Sequence, residues 1–315
     1  MNAPADPPNS TRAAVLVPFA LVVLIWGSTW IVIRDQLHGG GAVAVPASWS
    51  VSYRFLVAGV TLAGVAAWQR APGTRALFAQ SGFWRFAATL GMLQFVLNFN
   101  FVYRAEEHIT SGLVAVIFAL LLVPNALFAR IFLGQRLGRQ LLVGSAVAMS
   151  GVALLFVQEA RSDPRGPTES LVGIALTLCA VLSASSANVM QATKTAARYP
   201  MIPTLATAML IGAALDAGWA WATTGAPVFD ARPGYVAGVL YLGIIASALA
   251  FTLYFRIIRT IGPAKAAYNG VIVPVIAMLL STVFEGYRWT LLAGAGAGLA
   301  AVGLVIALRA RRPAR

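Results

Sequence analysis

Residues 123–144 read VPNALFARIFLGQRLGRQLLVG, and 150 positions later residues 273–294 read VPVIAMLLSTVFEGYRWTLLAG. Both copies set Val-Pro inside an apolar run, place Gln135 or Glu285 eleven residues after the proline, and open the next apolar run with Leu-Leu-x-Gly. Five of the 22 aligned positions are identical. The weight therefore rests on the shared order of features, and on what the offset does to topology.

Composition states the solvent. Of the 315 residues 59% are hydrophobic and 10% charged, with a mean hydropathy of +0.79. A soluble chain covers its surface with charge on about a quarter of its residues. This chain reads instead as a polytopic membrane protein bathed in lipid. The net charge of +13 is scattered through short loops and forms no basic domain, which argues against a nucleic-acid partner. The one cysteine, Cys179, lies in an apolar run, excludes an intrachain disulfide and reads as a small buried hydrophobe. Residues 1–12 are polar and Pro-rich, and the run behind them is long enough to span, so the first helix is expected to act as its own insertion signal.

Hydropathy marks ten candidate spans: 14–33, 48–68, 83–103, 109–129, 140–158, 170–191, 203–223, 235–255, 264–284 and 290–308. Each is close to the ~20 residues that cross the hydrocarbon. With the N-terminus inside, sixteen Lys and Arg fall on the inner side and six on the outer, while Arg54 falls within a span. Positive residues near span ends stay cytoplasmic, so both termini are expected in the cytoplasm of a plasma membrane of bacterial inner-membrane type. The longest polar connection, QEARSDPRGPT at 158–168, divides the chain into five-span halves at 13–158 and 170–309, with a linker at 159–169 and tails at 1–12 and 310–315. Five is odd, so the second half enters the membrane from the opposite side. Inverted repeats of this kind mark transporters with a site near the midplane.

WGSTW at 26–30, YRFL at 53–56, the surroundings of Pro124 and Glu285, and LYLGIIASALAF at 240–251 together resemble the EamA-type transporters of the drug/metabolite transporter superfamily. The resemblance spans nearly the whole chain. It implies a ten-helix carrier, and many members export amino acids or other metabolites. One departure is Gln135, where the family's first repeat usually carries Glu; any carboxylate role at the two repeat positions is left to Glu285.

Several polar residues inside the spans need partners. Trp26, Ser28, Thr29 and Trp30 either line a substrate path or serve helix packing through Gly27, with the hydroxyls bonded back to the i−4 carbonyls. Gln94 and Asn98 share a helix face and serve either a wet cavity or interhelical bonds; Asn100 points elsewhere. Ser185, Asn188 and Gln191 form a stripe in span 6, opposite span 1 by the repeat. Asn125, Tyr268 and Asn269 complete the central set, whereas Lys194 reads as snorkelling to the inner interface. Arg54 and Asp216 are the ionisable residues well inside spans; they pair with each other, snorkel, or in the case of Arg54 hold a substrate carboxylate. Glu106, Glu107 and His108 read either as a metal or proton site or, the reading taken, as helix-start acids beside an interfacial histidine. With His38 and His108 the only histidines, neither a metal site nor a cofactor is expected, nor is catalysis.

The sequence thus predicts an all-α integral membrane protein, ten transmembrane helices in two inverted five-helix repeats, moving a small polar metabolite outward by alternating access. Pro124 and Pro274 are its expected bending points. The competing readings are a drug efflux carrier of the same family and a membrane assembly protein without transport, in which the polar faces would pack dry. Small-xxx-small pairs at Gly144/Ala148 and Gly294/Gly298 either join spans 5 and 10 or mediate a homodimer.

Overall fold

A lipid-facing backbone has no water to bond, so each apolar run must close its own hydrogen-bond ladder. A computed structural model describes residues 9–38, 43–69, 74–135, 138–162, 167–266, 269–284 and 286–308, and among these there is helix and no strand. The principal rods are α1 (Asn9–His38), α2 (Ala47–Trp68), α3 (Ser81–Glu106), α4 (Ser111–Leu133), α5 (Arg139–Ser162), α6 (Pro167–Gln191), α7 (Met201–Thr224), α8 (Pro233–Ile261), α9 (Asn269–Phe284) and α10 (Leu291–Leu308). Seven of the described helices are long and apolar enough to cross a membrane, and the shorter apolar helices Leu142–Leu155, Val273–Phe284 and Leu291–Gly303 lie within α5, α9 and α10. Where the sequence predicts one span over 264–284, the structure has a short helix, Pro263–Ala266, and then α9.

Packing is two-fold. α1 packs on α8 and α9, and α6 packs in the same way on α3 and α4. α2 packs on α7 and α8, while α7 packs on α2 and α3; α4 meets α9, and α5 meets α10. The helical ladder loosens at matching places too. A π-helical segment occupies Gly91–Leu97 in α3, and another occupies Tyr241–Leu249 in α8, their first residues again 150 apart.

Chain ends that charge alternation assigns to one side do meet. At one end Arg232 pairs with Asp35 at 3.0 Å and with Asp230 at 3.3 Å, and His108 Nδ1 lies 2.6 Å from Glu169. At the other end Arg259 donates to Gln191 Oε1 at 3.0 Å and to the Tyr199 carbonyl at 3.2 Å, and the Tyr199 ring stacks edge-on against Phe83. His108 thus ties the loop after α3 to the start of α6.

Two expectations need correction. Cys179 is exposed, on the face of α6 that also turns out Leu171, Leu178 and Leu182. In lipid an apolar run has no reason to hide its outward face, so a small thiol there is as well accommodated as in a core. The small-residue pairing also differs in register. Gly303 sits against the backbone of Ala148 and Gly144, and Gly151 against Ala300 and Gly296, whereas Gly294 and Gly298 face open space. On α10 the contact face is thus offset by two residues, roughly half a turn, from the predicted one. The tight surface of Gly144 and Ala148 is consumed inside one chain and is not available to a partner copy.

Because a Cβ at Gly151 would meet rigid backbone of α10, Gly151→Val should lower stability by about 1–3 kcal/mol, as overpacking does. Gly294→Val has room on every side and should leave it within about 0.5 kcal/mol. Thermal denaturation of the two variants in detergent provides the comparison; equal destabilisation would contradict this packing.

Candidate substrate cavity

Seven helices surround a central cavity of about 110 Å³, measured at the centres of water-sized molecules. A single water needs roughly 10–15 Å³ on that measure, so there is room for several waters or a small metabolite. α1 contributes Trp26, Thr29, Trp30 and Ile33; α2 contributes Arg54; α3 contributes Gln94, Asn98, Phe99 and Val102. Phe118 and its neighbours on α4, Asn188 on α6, Phe251 and Tyr254 on α8, and Asn269, Gly270, Val273 and Pro274 on α9 complete the wall.

The aromatic part of the wall is braced by ring contacts. Trp26 meets Tyr254 at 4.7 Å and Phe251 at 5.2 Å between centroids, and Trp30 meets Phe118 at 5.9 Å. Trp26 is also fixed by its indole N–H, which donates to the Ala246 carbonyl at 3.1 Å. Ala246 lies in the π-helical segment of α8, where the altered ladder spares carbonyls for side chains. The loosened turn and the tryptophan thus answer each other across α1 and α8.

Opposite chemistry comes from polar atoms that the fold buries without protein partners. Among the described residues, the Trp30 indole N–H, Arg54 Nη1, Gln94 Oε1, Asn98 Oδ1 and both amide atoms of Asn269 have none, and all six atoms belong to residues of the cavity wall. Leaving such a group unbonded in a low-dielectric interior costs about 1–3 kcal/mol. Their residues gather around one space, so small side-chain rotations would bring this hydrogen-bonding capacity to whatever fills it. Arg54 is 1% exposed; its Nε donates to Ser247 Oγ at 2.9 Å and its guanidinium carbon lies 4.3 Å from the Phe99 ring centroid.

Of the sequence-predicted residues, Trp26, Thr29, Trp30, Gln94, Asn98, Asn188, Asn269, Arg54 and Pro274 are placed at the cavity. Asn125 stands behind it, fully buried, with its Oδ1 3.5 Å from Asn188 Nδ2. Ser28 turns to the Tyr241 hydroxyl at 2.6 Å and to the Ile25 carbonyl; Thr29 caps the Trp26 carbonyl, so both hydroxyls bond at i−3 rather than i−4. Gly27 faces Ile276 on α9, so packing and lining coexist in the WGSTW stretch. Ser185 is buried but does not line the cavity, and Gln191 is taken by Arg259. Asp216 lies away from the cavity between α7 and α3 and accepts from Asn100 at 2.6 Å; it and Arg54 serve different partners. Pro124 follows a 3-10 turn at Ala119–Leu121 that interrupts α4. Tyr268 and Glu285 lie outside the described residues.

Phe99, Phe118, Phe251, Tyr254 and Ser247 were not singled out from the sequence. In an apolar run an aromatic facing a cavity looks like one facing lipid. The signal that existed was the LYLGIIASALAF stretch, which carries Ser247 and Phe251.

A bundle of apolar helices around a largely apolar cavity, with a few buried polar side chains among its lining residues, is an architecture open to transport, and the presence of a cavity departs from the dry packing expected of an assembly protein. The chain belongs to the EamA-like transporter family, whose model matches twice, at residues 13–157 and 171–309. It is 22% identical to protein PagO of Salmonella typhimurium, covering 88% of this chain and 86% of that one. It is 28% identical to a probable terminal-alkyne amino-acid exporter of Streptantibioticus cattleyicolor over 91% of this chain and 90% of that protein. An uncharacterized inner membrane transporter of Escherichia coli, YedA, is 28% identical over 85% of this chain and 81% of its own length. A solved crystal structure with 20% identity superposes at a TM-score of 0.67, covering 96% of this chain and 99% of its own, and shares the fold.

Replacing Asn269 by Leu removes two buried, unpartnered polar atoms, so Asn269→Leu should hold or raise the melting temperature while abolishing substrate binding. A fall in melting temperature with binding retained would assign Asn269 to the scaffold.

Proposed function

We propose that this protein exports a small polar metabolite, an amino acid or a close derivative, across the bacterial inner membrane by alternating access. The observation that carries this reading is that Trp30, Arg54, Gln94, Asn98 and Asn269, each with a buried polar atom that has no protein partner, all line one cavity. A cavity built only for packing would fill with apolar side chains. One that must release its occupant to water on either side keeps polar groups poised for it.

The two-fold packing supports ten crossings in two halves of opposite orientation, with domain limits near 13–158 and 170–309. An odd number of crossings per half turns the second half over. The meeting of Asp35, Arg232, His108 and Glu169 at one end, and of Gln191, Tyr199 and Arg259 at the other, supports the loop sides that this topology requires. The excess of Lys and Arg on the second side makes it the cytoplasmic one, with both termini there. Two related packings of the halves can then exchange around a fixed site.

The bending points are the prolines. Pro274 cannot bond the Gly270 carbonyl and Pro124 cannot bond that of Leu120. Gly270 lines the cavity and its Cα lies at the crossing with Ala119 of α4, where a Cβ would come within 3.3 Å. Both interrupted ladders therefore meet where α4 and α9 cross. The family relationship to proteins named as an amino-acid exporter and as a probable amino-acid metabolite efflux pump supports the substrate class.

Everted vesicles separate the substrates: amino acids should accumulate in vesicles carrying the protein, and sugars and cationic drugs should not. Accumulation of cationic drugs alone would point to drug efflux. In proteoliposomes Pro124→Ala and Pro274→Ala should slow turnover several-fold more than they weaken binding, since each restores a ladder bond in the hinge. Unaltered turnover would remove the hinge role.

A further inference from the structure

The geometry points to Arg54 as a carboxylate-docking residue, so that the cavity selects substrates bearing a carboxylate and rejects the corresponding cations. This rests on the transporter reading and deepens it. A guanidinium stays charged under all ordinary conditions, and an isolated charge inside a membrane protein is tolerated only with a defined job. Arg54 is 1% exposed, and part of its guanidinium is left without a protein acceptor. Ser247 takes Nε, Phe99 offers its ring face, and Nη1 has no protein acceptor. The Tyr103 hydroxyl is a side-chain hydrogen-bond partner of the guanidinium and the Glu106 carboxylate lies within electrostatic reach, but neither residue is part of the cavity wall.

Among the described residues, Arg54 is the charged one that lines the cavity, and no carboxylate does. The space is therefore positive in a low-dielectric surround, which favours an anionic group over a cationic one. A guanidinium anchored through Nε is oriented, and it presents its remaining N–H groups in the planar fork that matches a carboxylate. The amide oxygens of Gln94 and Asn98 on α3 supply acceptors for the ammonium of a zwitterion. Aromatic faces complete the wall and take an apolar side chain.

The test is binding to the purified full-length protein in detergent, read by isothermal titration calorimetry with three probes: L-phenylalanine, phenylacetate and L-phenylalaninamide. The amide keeps the ring and the amine but has no carboxylate. Both carboxylates should bind about 10- to 100-fold more tightly than the amide, the factor one charge-assisted hydrogen bond supplies. Arg54→Gln should erase that preference. Should Arg54→Gln fail to fold, Ser247→Ala, which only frees the guanidinium, should reduce the preference several-fold. Equal or tighter binding of the amide by the unaltered protein, binding of none of the three, or a preference that survives in folded Arg54→Gln would overturn the assignment. Carboxylate-selective binding without uptake of L-phenylalanine into proteoliposomes would uphold the docking site and count against the transport reading instead.

Discussion

A polar group inside hydrocarbon must find a partner, and the architecture of this protein follows from where that demand is met and where it is not. The helical ladders meet it for the backbone, and short local bonds meet it for most hydroxyls: Thr61, Thr177, Thr204, Thr207 and Thr252 each donate to the carbonyl four residues back. Some of what remains unmet lies on residues around the central space that seven helices line: Trp30, Arg54, Gln94, Asn98 and Asn269.

The same location is where the helices are least regular. Two π-helical segments, a 3-10 turn before Pro124 and the proline of α9 all border it or lie one turn from it, in pairs related by the repeat. Irregular backbone at membrane depth is sustainable only where protein or a cavity covers it. Around this core, α5 and α10 form a close-packed strut through Gly151 and Gly303, and α2 packs on α7. Rigid struts outside and interrupted ladders inside are the distribution of stiffness expected if two halves rock about a central site.

Much of this was legible in the sequence because its signals are periodic. Apolar run lengths, the alternation of charge between loops and the 150-residue echo of Val-Pro located the helices and their pairing. Polar residues within apolar runs marked the cavity, and Gln94, Asn98, Asn188 and Asn269 stand there. What escaped has a common physical reason. Whether Cys179, Phe99 or Tyr254 faces lipid or protein cannot be read where both environments are apolar, and the offset of the α10 glycine face depends on helix rotation alone. Arg54 and Asp216 were equally unusual as letters, and only their neighbours separate them: Ser247, Phe99 and the cavity for one, Asn100 for the other.

The central claim, that two related halves expose one cavity to each side in turn, is most directly tested by accessibility from the two faces of the membrane. In a Cys179→Ser background, Thr29→Cys places a thiol on the cavity wall. Labelling by a membrane-impermeant maleimide is then measured separately in right-side-out and everted vesicles. The account predicts labelling from both faces, with saturating substrate protecting the thiol on each. Labelling confined to one face under all conditions, or from neither, would contradict it.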